Sequence, residues 1–141
     1  MNKFSCSDPG CPSTLRVISK NLRWIEGQYE ITNQKRRGQP VWYNEEKIMF
    51  LSVAKSNRWH IKPLKNYYDD DNLTFARSKA ELPTQSGKVW CPQNLVYQVS
   101  AYGNWTSGFI KVLGKIHLDK HAGLLTIMFC IKANSIMKRF S

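Results

Sequence analysis

The chain has 141 residues, 42% hydrophobic and 22% charged, with a formal net charge of +11 at pH 7. That length fits one domain with a sizeable core, and that balance excludes disorder of the whole chain. No apolar stretch approaches the roughly 18–20 residues that a membrane-spanning helix needs; the longest runs from Ala122 to Ile131 between His121 and Lys132.

Residues 1–14 are rich in turn formers, with Asp8-Pro9-Gly10 between Cys6 and Cys11 followed by Pro12-Ser13-Thr14. They read as an irregular lead-in, because proline fixes φ and glycine accepts positive φ. MNKFSCSDPGCPS lacks the continuous apolar segment of a signal peptide, so no secretion route is visible within it. Leu15-Arg16-Val17 then opens a short extended run with Leu15 and Val17 on one face.

From Gly27 to Trp59 the alternation becomes clear. Tyr29 and Ile31 alternate with Gln28, Glu30 and Thr32, the period of a half-buried strand. Asn33 to Gly38 reads as a turn carrying Lys35, Arg36 and Arg37. Val41-Trp42-Tyr43 forms a second strand entered through Pro40. After a reversal at 44–47, Ile48 to Val53 (IMFLSV) is the most apolar run and the best candidate for a strand covered on both faces. A turn at 54–57 leads to a fourth strand, Arg58 to Ile61, which Pro63 ends. Four strands joined by short loops make an antiparallel meander, and Trp42, Phe50 and Trp59 are its expected core.

Residues 64–87 are polar and loop-like, with Tyr67-Tyr68 and Asp69-Asp70-Asp71. Phe75 to Leu82 is compatible with one or two helical turns before Pro83. Strand character returns at Lys88-Val89-Trp90, Leu95 to Ala101 and Phe109 to Leu113, with Asn104-Trp105-Thr106 in a loop between Gly103 and Gly108. Residues 114–141 form a basic and apolar tail in which Leu118, His121, Leu125 and Met128 have helical spacing. The fold class is therefore mainly β: a lead-in at 1–14, a single small antiparallel sheet at 15–113, and a tail at 114–141 of partly helical character.

The positive charge sits at both ends of the chain. Residues 1–66 carry twelve Lys/Arg against five Asp/Glu, residues 67–110 three against four, and residues 111–141 six against one. Clustered cations attract nucleic acid, sulfated sugars and acidic lipid alike, although solubility alone is the plain alternative. The candidate polyanion contacts are Lys35, Arg36, Arg37, Arg58 and Lys62. Nearby large aromatics offer stacking surfaces, because Trp42, Trp59, Tyr67, Tyr68, Tyr97, Tyr102 and Trp105 are more than one small sheet buries easily.

Four cysteines, Cys6, Cys11, Cys91 and Cys130, allow three fully paired connectivities. A Cys6–Cys11 loop with a second Cys91–Cys130 bridge is sterically allowed; in a reducing compartment all four would be thiols. Asn72-Leu-Thr74 and Asn104-Trp-Thr106 are acceptor triplets for N-glycosylation, and with the cysteines they point to an oxidising, extracellular setting. His117 and His121 are four apart, but they lie about a hundred residues from Cys6 and Cys11, which argues against a zinc site. The 69–72 run lacks the spacing and glycine of a calcium-binding loop. No nucleophile elbow, phosphate-cradling loop or histidine–carboxylate setting is present. The expectation is a noncatalytic protein without metal or cofactor.

Gly27-x-Tyr29, Gly38-x-Pro40-Val41-x-Tyr43, Leu51 and Trp59-x-Ile61 resemble a β-rich module of multidomain eukaryotic extracellular proteins. There a G-x-Y, an N-G-x-P-V-Y and a W-x-I strand form a small antiparallel sheet. Leu82-Pro83 and Trp105 with Ile110 and Val112 match its later positions, so the likeness covers Leu15 to Val112. Arg37 departs from it, standing where that module has asparagine, as do the extra residues between Trp90 and Trp105. The resemblance implies a recognition or spacer module beside other extracellular domains. The sequence thus favours an extracellular binding or adhesion module of a larger protein, whose partner is a protein, a glycan or another polyanion. An intracellular nucleic-acid-binding β-domain is the alternative.

Overall fold

The computed structural model describes residues 10–67, 74–83, 87–101 and 103–115. The chain forms nine strands: β1 (Thr14–Ser19), β2 (Gly27–Arg36), β3 (Gln39–Asn44), β4 (Met49–Val53), β5 (Trp59–Pro63), β6 (Ala76–Ser78), β7 (Tyr97–Ala101), β8 (Asn104–Ser107) and β9 (Ile110–Lys115). All belong to one curled antiparallel sheet in the order β8-β7-β6-β5-β4-β3-β2-β1-β9. The mainly β fold and its meander are as the sequence predicts.

The alternation explains the curl. Leu15, Val17, Tyr29, Ile31, Trp42, Leu51, Val53, Trp59, Ile61, Ala76, Val99, Ile110 and Val112 all join one buried cluster. Each comes from every second position of its strand, so one face of the sheet is lined with apolar groups and curls around them. Trp42 and Trp59 meet edge to face inside it, with ring centroids 5.8 Å apart, and the Trp42 indole N–H donates to the Pro12 carbonyl. The opposite face of β3 and β4 carries a second cluster, Val41, Tyr43 and Phe50, covered by Tyr67 and Leu64. Hence every residue of β4 is buried, as expected for a strand covered on both sides, whereas Ile48, expected as its first residue, is exposed in the β3–β4 turn at φ +56.

The two ends of the meander meet through one stretch of chain. β8 pairs with β7 (Gln98↔Ser107), and after only Gly108 and Phe109, β9 pairs with β1 from Ile110↔Ser19 to Lys115↔Thr14. Residues 104–115 therefore run as a stepped strand that bridges the gap, the stagger a curled sheet needs to close. A Cβ on Gly108 would lie 2.8 Å from Val99 Cγ1, so the crossing is built for glycine.

Five local expectations are corrected. The turn expected at Asn33 to Gly38 shrinks to Arg37-Gly38, because β2 runs on to Arg36 and pairs there with β3 (Lys35↔Pro40, Arg36↔Gln39). Residues 76–78 are strand, not helix, because pairing with β5 (His60↔Arg77, Ile61↔Ala76) overrides local propensity. Lys88-Val89-Trp90 is not strand; the Gln39 side chain holds it, donating to the Lys88 carbonyl and accepting from Trp90 N–H. Asn104 to Thr106 is strand β8 rather than loop. Tyr97 and Tyr67 are buried along with Trp42 and Trp59, because the curl and the second cluster hold more aromatics than a flat sheet would. In addition, Gly114 and Lys115 belong to β9; the rest of the tail, with His117 and His121, lies outside the described residues.

The cysteine pairing also differs from the one that local spacing suggests. Cys11 bonds Cys91, 80 residues away, which excludes both a Cys6–Cys11 loop and a Cys91–Cys130 bridge. It fastens the lead-in to the segment before β7, and constraining so long a loop is worth roughly 4–5 kcal/mol in the chain-entropy account. Cys6 and Cys130 lie outside the described residues. Among the described residues no helix is long and apolar enough to cross a membrane.

Candidate polyanion interface

Strand direction brings the β2–β3 turn, the β4–β5 turn and the segment after β6 to the same end of the curled sheet. The β2–β3 link is a two-residue turn with Arg37 at φ +52 and Gly38 at φ +78. Positive φ at both central positions defines the turn whose twist suits a hairpin. It projects Arg37 into solvent, where Arg37 Nε donates to Asn57 Oδ1 of the neighbouring turn at 3.2 Å. Arg58 follows at once; its Nη1 lies 3.3 Å from Glu81 Oε1, and its Nε donates to the Lys79 carbonyl. Lys35 and Lys79 are exposed on this end.

The five predicted cations do not all face outward. Lys35 and Arg37 are exposed and Arg58 is half-buried. Arg36 is half-buried, with its guanidinium over the Tyr67 ring at 5.0 Å, so it helps cover the outer aromatic cluster. Lys62 is fully buried. It sits opposite Phe50 and presents no surface to a polyanion. A turn of three adjacent cations thus resolves into two solvent-facing charges and one packed against an aromatic ring.

Sequence reasoning missed Arg77. It lies on β6 opposite His60, between buried Ala76 and Ser78, and therefore points to the outer face. Its guanidinium stacks over Trp105 at 4.3 Å, and its Nε donates to Gln98 Oε1 at 3.2 Å. Burial lowers its pKa, and the nearby Arg58 charge lowers it further. Reading residues 76–78 as a strand would have revealed it, because the small residues on either side mark the inner face. Lys88, which covers the Trp90 ring at 4.4 Å, is the other cation missed.

Two further places have distinct chemistry. His60 is buried on the outer face, with Nδ1 2.9 Å from Thr74 Oγ1 and Nε2 3.0 Å from Ser56 Oγ. These bonds tie β5 to the chain on either side of it. An open groove of about 750 Å³ is lined by Arg16, Glu26, Gln28, Glu30 and Asn44 together with the β3–β4 turn. Its carboxylates are partly committed to the fold: Glu30 accepts from Thr14 Oγ1 and Gln28 Nε2, and Glu26 accepts from the Ser19 N–H. None of the five predicted cations lines it. Among the described residues, no group of three or more His, Cys, Asp or Glu could hold a metal ion.

Of the two glycan acceptors, Asn72 lies outside the described residues. Asn104 and Thr106 are both exposed on β8. Compared with family models, curated proteins and solved structures, the chain matches none.

Proposed function

We propose that this chain is a noncatalytic extracellular binding or adhesion module of a larger protein, and that it holds a polyanionic glycan against the end of the sheet carrying Lys35, Arg37 and Arg58. The observation that carries the reading is Arg37. A non-glycine side chain at φ +52 costs roughly 1–2 kcal/mol, and the side chain that incurs this cost is a cation facing solvent beside a second basic turn. The Cys11–Cys91 bond supports an oxidising compartment, and Asn104 and Thr106, both exposed on β8, suit glycan attachment there. In that setting the available polyanions are acidic polysaccharides.

One preparation tests this. Protein secreted from eukaryotic cells should show the Cys11–Cys91 link and a glycan on Asn104 by mass spectrometry. It should then elute from immobilised heparin at a salt concentration that drops when Lys35 and Arg37 are both replaced by alanine, each lost contact flattening the salt dependence by about one charge. Free thiols at both cysteines with bare Asn104 would refute the extracellular half; elution unchanged by the double substitution would refute the site. Tighter, salt-sensitive retention on single-stranded DNA than on heparin would favour the intracellular nucleic-acid reading instead.

A further inference from the structure

We infer that the basic end continues up the outer face of β5–β8 into a stacking subsite, formed by Arg77 and Trp105, that takes one anionic sugar unit of an acidic polysaccharide. The inference rests on the polyanion reading above and adds to it a site on a different part of the sheet.

The register lays the subsite out. Arg58 immediately precedes β5 and donates to the carbonyl of Lys79, two residues past Arg77, while His60 is opposite Arg77; Arg58 thus lies just beyond the end of that ladder, where its charge acts on Arg77. Arg77 is opposite Gln98 on β7, Gln98 is opposite Ser107 on β8, and Ser100 is opposite Trp105. These side chains therefore share one face. Arg77 is held by two contacts, the Trp105 ring and Gln98 Oε1. Neither carries a charge, and no carboxylate lies within ion-pair distance of Arg77 among the described residues. Arg58 and Arg77 thus carry two charges against one paired carboxylate among the described residues, Glu81, which pairs with Arg58 and is largely exposed. Such a pair lacks one negative charge, and a planar guanidinium accepts a sulfate or carboxylate through two parallel hydrogen bonds.

Trp105 supplies the second requirement. Trp42 and Trp59 are sealed inside the sheet, whereas Trp105 lies half-buried on the short strand β8, between exposed residues. An aromatic ring beside a cation suits a ring-shaped anionic ligand: the ring packs on the apolar face of a pyranose while the cation takes its charge. Exposed hydroxyls of Ser100 and Ser107 border the shelf. Arg37, bonded to Asn57 next to Arg58, connects the shelf to the turn, so one extended polyanion can span both.

The test is titration of the whole chain with a heparin oligosaccharide and with a single-stranded oligonucleotide at several salt concentrations, for wild type, Arg77→Gln, Trp105→Ala, Trp105→Tyr and Lys35→Ala/Arg37→Ala. Thermal melts establish that each variant folds. The expected result is about tenfold weaker heparin binding for Trp105→Ala with an unchanged salt slope, because stacking involves no counterion release. Trp105→Tyr keeps most of the affinity, and Arg77→Gln loses affinity together with about one charge of slope. Heparin binding equal to wild type in Arg77→Gln and Trp105→Ala, but weakened in Lys35→Ala/Arg37→Ala, overturns the subsite and leaves the polyanion reading intact. Failure of the wild type to bind heparin overturns both. Tighter binding of the oligonucleotide, lost in the same shelf variants, overturns the sugar assignment in favour of nucleobase stacking.

Discussion

Arg37 stands where the structure would be better served by asparagine. In a two-residue turn with positive φ at both central positions, asparagine followed by glycine relieves the strain that arginine bears at φ +52. Arg37→Asn is therefore expected to stabilise the fold by about 0.5–1 kcal/mol, read from urea denaturation, while it lowers the salt needed to elute the protein from heparin. A destabilised Arg37→Asn variant would mean that the bond from Arg37 Nε to Asn57 outweighs the backbone strain. The same position shows what was legible in the residues. A turn carrying cations was legible, read as Asn33 to Gly38; its contraction to Arg37-Gly38 was not, because residues 33–36 are drawn into strand β2 beside β3. Nor was the fate of the adjacent cations, because Arg36 packs on Tyr67 and Lys62 sits opposite Phe50, contacts that depend on a neighbouring strand and on chain folded over the outer face.

Among the elements, β2 and β5 were readable from their alternation, β3 and β4 from continuous apolar runs, and all four from the turns between them. β6 and β8 were not. β6 has three residues and exists because β5 and β7 supply partners on both sides; β8 exists through its pairing with β7. Short strands take their identity from pairing rather than propensity. The crossing between β8 and β9 depends on Gly108, whose added Cβ would meet both Val99 methyl groups at 2.8 and 2.9 Å. Gly108→Ala should destabilise by about 1–3 kcal/mol through overpacking. Combining it with Val99→Ala should recover part of that loss, a coupling that a double-mutant cycle of urea midpoints measures directly. Strict additivity of the two would show that Gly108 is not needed for close approach. At Gly103, where φ is +82 but nothing lies within 4 Å, only backbone strain should register.

At the scale of the whole molecule, the interior holds the phenols of Tyr29 and Tyr97 out of water. Tyr29 donates to the Ile25 carbonyl and Tyr97 to the Pro92 carbonyl. Burial pushes both well above the ordinary tyrosine pKa of 10.0, with the Asn44 contact to Tyr29 only partly opposing it. In the unfolded chain these groups ionise near pH 10; in the folded chain they stay protonated to higher pH. Their contribution is thus complete below about pH 10 and lost as pH rises beyond it, at up to roughly 1.4 kcal/mol per pH unit per phenol. Urea midpoints should be level from pH 8 to 9.5 and lower at pH 11, with Tyr97→Phe reducing the drop. A midpoint unchanged at pH 11 would show that the phenols ionise without opening the fold. The candidate site was only half legible at this scale: its basic turns are local in sequence, whereas Arg77 and Trp105 meet only after three strands have paired.

The stepped strand from Asn104 to Lys115 also sets an order of events during synthesis. β1 finds β2 almost at once, but its other neighbour, β9, is among the last described residues to leave the ribosome. Until then one edge of β1 and the outer edge of β7 present unpaired backbone groups, the kind of surface that recruits another chain. Closure is therefore a late, long-range step, slow in the way that non-local β pairing is slow. A chain ending at Ala101 should keep the meander yet elute from size exclusion as an associating species, whereas the full chain at the same concentration elutes as a monomer. Monomeric elution of the shortened chain would show that the curl protects its own edges without the strand that bridges them.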